Sequence, residues 1–93
     1  SMDLVKREKD KLYAAFRGLD VEYVESRPNF ILVDTRRDSK EVFNHCLKNG
    51  IIIREMSAWS LDGFIRVNVG LPEENDEFIR VFTEAIKKIP KKG

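Results

Sequence analysis

The stretch Leu61-Asp62-Gly63-Phe64-Ile65-Arg66-Val67-Asn68-Val69-Gly70-Leu71-Pro72 decides the fold of this chain. Asp62-Gly63 is a turn pair, and from Phe64 the residues alternate as an extended strand requires. Ile65, Val67 and Val69 point to one side, and Phe64, Arg66 and Asn68 to the other. Pro72 suits the first position of a helix over 73–88, and Phe78, Phe82, Ala85, Ile86 and Ile89 mark its buried stripe. Pro90-Lys91-Lys92-Gly93 reads as a tail.

Working outward towards the N-terminus, residues 55–63 form a loop that contains Trp59, and Ile51-Ile52-Ile53 with Arg54 at its end predicts a strand over 51–54. Residues 39–49 carry the stripe Val42, Phe43, Cys46 and Leu47, which predicts a helix. Asp38 suits its N-cap, Glu41 completes a capping-box pattern and Gly50 ends it. Phe30-Ile31-Leu32-Val33 is apolar on both faces, as a central strand at 30–34 would be. Ser26-Arg27-Pro28-Asn29 separates it from the short β-prone run Val21–Val24. Residues 3–17 predict a first helix with Val5, Leu12, Phe16 and Leu19 along one stripe. The predicted fold is α+β, a two-layer sandwich with helices on one face of a largely antiparallel sheet.

The 93 residues predict one domain spanning 1–93. A chain of that size buries about 60–65% of its unfolded surface. Apolar residues make up 42% and charged residues 35%, a globular rather than a disordered composition. Seventeen basic residues stand against sixteen acidic ones, so no single-sign field exists to attract nucleic acid or an anionic membrane, and neither is expected as a partner. The apolar runs are far too short to cross a bilayer. Ser1-Met2 resembles a cleavage scar from recombinant expression, a sign of a segment cut from something longer. The lone Cys46 rules out an internal disulfide and fits a reducing cytoplasm.

Catalytic chemistry finds little support. His45 and Cys46 are the sole His and Cys; as helix neighbours they point about 100° apart and suit neither a shared metal nor a nucleophile–base pair. There is no Gly-x-Ser-x-Gly and no Walker loop. Glu73-Glu74 sits where a helix dipole favours acidic residues. No metal site and no catalytic residue is therefore assigned. Two arginines differ: Arg54 follows an all-isoleucine run and Arg66 lies within a strand. A guanidinium there is costly unless solvated or paired, and its planar fork suits carboxylate and phosphate.

Gly50-Ile51-Ile52-Ile53-Arg54-Glu55-Met56, then Leu61 to Gly70, then Pro72-Glu73-Glu74-Asn75, preceded by Arg27-Pro28-Asn29-Phe30-Ile31-Leu32-Val33, together resemble the C-terminal small domain of histidinol-phosphate aminotransferases. These are fold-type-I, class II pyridoxal-phosphate enzymes, and the resemblance runs from about Arg7 to Ile86. It implies a role for Arg66 in gripping the substrate's α-carboxylate, for Arg54 in holding a distal phosphate, and for Asn29 at a strand start near the active site. It implies a parent that moves an amino group between histidinol phosphate, a phosphorylated amino substrate, and 2-oxoglutarate in histidine biosynthesis. That parent would be a cytoplasmic homodimer whose large domain holds pyridoxal phosphate on a lysine.

The family's usual Ser/Thr-x-x-Lys setting for that lysine does not occur here. The segment alone is thus expected to bind no cofactor and to be inactive. Leu71 stands where the family usually has Thr, and Trp59-Ser60 replaces the more usual Tyr-Gly. Threonine-phosphate decarboxylase shares the arginine pair and is the nearest alternative. A free-standing or redesigned α+β binding module is another.

Overall fold

The computed structural model describes residues 2–93, without the side chains of Met2 and Arg27. Ser1, half of the expected scar, lies outside the described residues. The elements run α1 (Met2–Gly18), β1 (Glu22–Arg27), β2 (Phe30–Asp34), α2 (Ser39–Lys48), β3 (Arg54–Glu55), the 3-10 turn Ser57–Trp59, β4 (Phe64–Asn68) and α3 (Pro72–Lys88). The four strands form one antiparallel sheet in the order β1-β2-β4-β3. This is the expected α+β sandwich.

Alternation along the central strands sets the two faces. Ile31 and Val33 of β2 and Ile65 and Val67 of β4 point into the core, where they meet Leu12 and Phe16 of α1, Val42 and Cys46 of α2, and Phe78, Val81, Phe82, Ala85 and Ile86 of α3. Phe16 packs edge-on against Phe82 with ring centroids 5.7 Å apart, so the first and last helices close over the same patch of sheet. Burial of the Cys46 thiol here pushes its pKa up to about 11.

Asp38 caps α2 as expected: its carboxylate accepts from the backbone N–H of Lys40 and of Glu41. Leu71 offers α3 no side-chain cap, and other groups take over. The Leu71 N–H donates to Glu74 Oε1 at 2.8 Å, while Asn75 accepts from Gly70 N and donates to Gly70 O, both at 2.9 Å. Asn75 is buried and also donates to Glu8 Oε1 at 3.0 Å. Lys11 bridges Glu8 and Asp76, 2.7 Å from each, so α1 is tied to the start of α3. Hydrogen bonds from Lys11 and then Asn75 hold the Glu8 carboxyl below its ordinary pKa, against its burial.

The strand expected over 51–54 is shorter than the isoleucines suggest. Only Arg54–Glu55 pairs with β4. Gly50 adopts φ 78°, a conformation glycine takes freely, and Ile51 N donates to Cys46 O, so the chain is still folded back on α2 at that point. Ile53 reaches the core, Ile52 stays 82% exposed, and a cavity of about 460 Å³ lined by Ile51–Ile53, Val67, Asn68 and Phe78 opens beside β4. Hydrophobicity drew Ile53 inward; the helix end prevented the ladder.

Candidate anion-binding site

The two arginines meet across the sheet. Arg54 is the register partner of Arg66, Arg66 of Leu32, and Leu32 of Val24. Directly opposed residues in an antiparallel ladder share a face, so Val24, Leu32, Arg66 and Arg54 form one row across all four strands. That row lies on the face away from the helices, together with Phe30 and Phe64, which are half-buried. Arg66 is half-buried and Arg54 exposed. Placing like charges directly opposite each other costs stability, so their pairing needs a reason.

Nearby carboxylates do not supply one. Asp34 accepts from the Arg36 backbone N–H at 3.0 Å, and Glu22 is ion-paired with the Arg36 side chain. Glu55 follows Arg54 in sequence but points to the opposite face. There its carboxylate accepts from Ser39 Oγ at 2.7 Å, Ser57 N at 2.9 Å and Ser57 Oγ at 2.6 Å. Burial alone would raise the Glu55 pKa, but these donors outweigh it and hold the group below its ordinary value. Among the described residues, neither Arg54 nor Arg66 closes an ion pair, and the buried Nε of Arg66 has no hydrogen-bond partner.

Both guanidinium groups rest instead against aromatic rings. The Arg66 guanidinium carbon lies 4.8 Å from the centroid of Phe30, and that of Arg54 lies 5.7 Å from Trp59. Trp59 is 55% exposed, at the end of the turn that Ser57 and Glu55 pin down. Two adjacent cations with free in-plane donors, on an open sheet face, are equipped to bind an anion with more than one oxygen group.

Asn29, the third expected site residue, sits in the two-residue turn between β1 and β2 rather than at a strand start. Its carbonyl accepts from Val69 N at 2.7 Å, one step beyond the Phe30–Asn68 pair, so it lies off the arginine row at the end of the sheet. Sequence reasoning named Phe30 and Trp59 but gave neither a place beside an arginine, and it missed Arg37. Arg37 is buried without a carboxylate, and its guanidinium donates to Ile86 O, Ile89 O and Thr35 O at 3.2, 3.0 and 2.8 Å. It thereby satisfies carbonyls at the end of α3, where a cation also suits the helix dipole.

The chain is 40% identical over 86 residues to a histidinol-phosphate aminotransferase of Moorella thermoacetica, covering 92% of this chain and 22% of that protein. It is 39% identical over 83 residues to the histidinol-phosphate aminotransferase of Symbiobacterium thermophilum, covering 89% of this chain and 23% of that one. The chain therefore spans less than a quarter of the length of these relatives. A NifS-like protein shares the fold at TM-score 0.75 with 20% identity, over 92% of this chain and 28% of its own. The family model described as aminotransferase class I and II matches residues 1–82, and the chain belongs to that family.

Proposed function

We propose that residues 1–93 are the C-terminal small domain of a histidinol-phosphate aminotransferase, and that the open sheet face supplies the substrate-anion end of its active site. The observation that carries this is the cross-strand Arg54–Arg66 pair with no counter-ion among the described residues. Arg66 takes a carboxylate of the dicarboxylate partner, 2-oxoglutarate or glutamate. Arg54 takes the phosphate of the second substrate, a phosphate ester of an amino alcohol that has no carboxylate of its own. Asn29, in the turn before β2 and off the arginine row, is assigned to the same substrate from the family resemblance alone.

The strands of the open sheet face offer no lysine amine through which pyridoxal phosphate would be held. None of the four strands contains a lysine, and Lys9, Lys11 and Lys91 are engaged with carboxylates away from the arginine row. The cofactor belongs to a large domain outside these residues, in a homodimeric cytoplasmic parent of histidine biosynthesis. No helix among the described residues is long and apolar enough to cross a membrane. The names of the relatives favour the aminotransferase over threonine-phosphate decarboxylase, with which the arginine pair is equally compatible.

The test is an exchange. Residues 1–93 replace the matching C-terminal segment of the Moorella protein, and turnover of histidinol phosphate is measured. The exchanged protein should be active and the 93-residue chain alone should not. A folded, cofactor-loaded exchange protein without turnover, or turnover by the chain alone, would contradict the proposal.

A further inference from the structure

We infer that Phe30 is a positioning residue for Arg66, holding its guanidinium in place without neutralising it, and that Trp59 serves Arg54 in the same way. The inference rests on the anion-binding reading of the arginine pair and extends it to residues that touch no anion.

An arginine can be oriented by a carboxylate or by a ring. A carboxylate uses the in-plane N–H donors and cancels the charge, so an incoming anion must displace it. A ring takes only the flat face of the guanidinium, leaves the donors at its edge free, and stabilises the cation through its quadrupole. The strand carboxylates are engaged elsewhere: Asp34 accepts from the Arg36 backbone N–H, Glu22 is ion-paired with the Arg36 side chain, Glu25 with Lys9, and Glu55 accepts from Ser39 and Ser57 on the other face. What remains beside Arg66 is Phe30. Its register partner is Asn68, and Leu32 opposes Arg66, which makes Phe30 a diagonal neighbour within reach of a long side chain. The 4.8 Å separation places the guanidinium over the ring.

The same logic explains why two like charges can sit opposite each other. Each has a neutral partner on its own side, Phe30 for Arg66 and Trp59 for Arg54. Arg54 is the more solvated of the two, and its ring lies on a short turn rather than a strand. Phe30 is therefore the stiffer support and the one to test.

The experiment uses the 93-residue chain labelled with nitrogen-15, as wild type, Phe30→Leu and Phe30→Tyr, with 2-oxoglutarate as the probe. The backbone amide spectrum checks that each variant is folded. Side-chain Nε–H relaxation reports the order of each guanidinium without ligand. Arg66 should be as ordered as the β4 backbone in wild type and Phe30→Tyr, and lose that order in Phe30→Leu, while Arg54 stays unchanged. 2-Oxoglutarate should shift the Arg66 signal, with a dissociation constant about two- to five-fold higher in Phe30→Leu than in wild type or Phe30→Tyr. Equal mobility of Arg66 in wild type and Phe30→Leu would overturn the inference, as would an unchanged 2-oxoglutarate affinity. If Arg66 loses order in Phe30→Leu but 2-oxoglutarate shifts it in no variant, the positioning role stands and the carboxylate-binding reading of Arg66 fails.

Discussion

Replacing Arg66 with Met should make the 93-residue chain more stable while removing its anion site. Methionine keeps an unbranched apolar stem of similar reach over Phe30 and Leu32, so little packing is lost. Removing the charge relieves its repulsion with Arg54, its register partner. Directly opposed like charges cost about 0.2–1 kcal/mol, and two unit charges about 6 Å apart in water repel by about 0.7 kcal/mol. The substitution also deletes a buried Nε–H that has no partner. A fully buried orphan donor costs about 1–3 kcal/mol, and for a half-buried side chain we take the lower end, about 1 kcal/mol. Against these gains stands the contact with Phe30, worth about 0.5–1 kcal/mol. The net is a stabilisation of about 0.5–1 kcal/mol. At a urea slope of about 1 kcal/mol per M, the unfolding midpoint rises by about 0.5–1 M. Urea unfolding followed by circular dichroism at low ionic strength reads this directly. Raising ionic strength shortens the Debye length from about 30 Å at 0.01 M to about 8 Å at 0.15 M, which should stabilise wild type by a few tenths of a kcal/mol and Arg66→Met by less. Destabilisation of Arg66→Met by about 1 kcal/mol or more would show that the guanidinium is part of the scaffold and refute the reasoning.

Arg37 should behave in the opposite way. Arg37→Met strips three carbonyls of a charged donor, those of Ile86 and Ile89 at the end of α3 and that of Thr35 after β2, and should cost about 3–5 kcal/mol in the same urea assay; a loss below about 1 kcal/mol would mean that water replaces it fully. Stability should also fall with acid. Glu8 and Glu55 both have depressed folded-state pKa values, so their contribution is present above the ordinary glutamate value of 4.5 and is lost as pH falls through the lower folded values. Glu8→Gln should flatten that acid slope, by at most about 1.4 kcal/mol per pH unit for its one proton, and an unchanged slope would remove Glu8 from the account.

How much of this was legible in the sequence varies by element. Alternation in Phe64–Asn68 and the helical stripes of α2 and α3 gave the layers, because each pattern matches one period and one buried face. Ile51–Ile53 misled, because three isoleucines report burial but not hydrogen bonding, and the turn after α2 decides where the ladder can start. The arginine pair was visible as two residues. Their opposition in register was not, since it depends on how β3 and β4 align. Nor could sequence tell Arg37, locked on backbone carbonyls, from Arg66, which has no such partner; the difference lies in tertiary surroundings.

The central claim, that the arginine pair on the open sheet face binds substrate anions with Arg54 on the phosphate, is tested most directly by substrate discrimination in the exchange protein. Steady-state kcat/KM is measured for histidinol phosphate and for histidinol, in the parent exchange protein and in its Arg54→Ala variant. Losing a charged contact to the phosphate should cost about 2–4 kcal/mol, or about 30- to 900-fold in kcat/KM, on histidinol phosphate. On histidinol, which has no phosphate to lose, the change should stay within about three-fold. Equal losses on the two substrates would remove Arg54 from the phosphate, and unchanged kinetics on both would contradict the account.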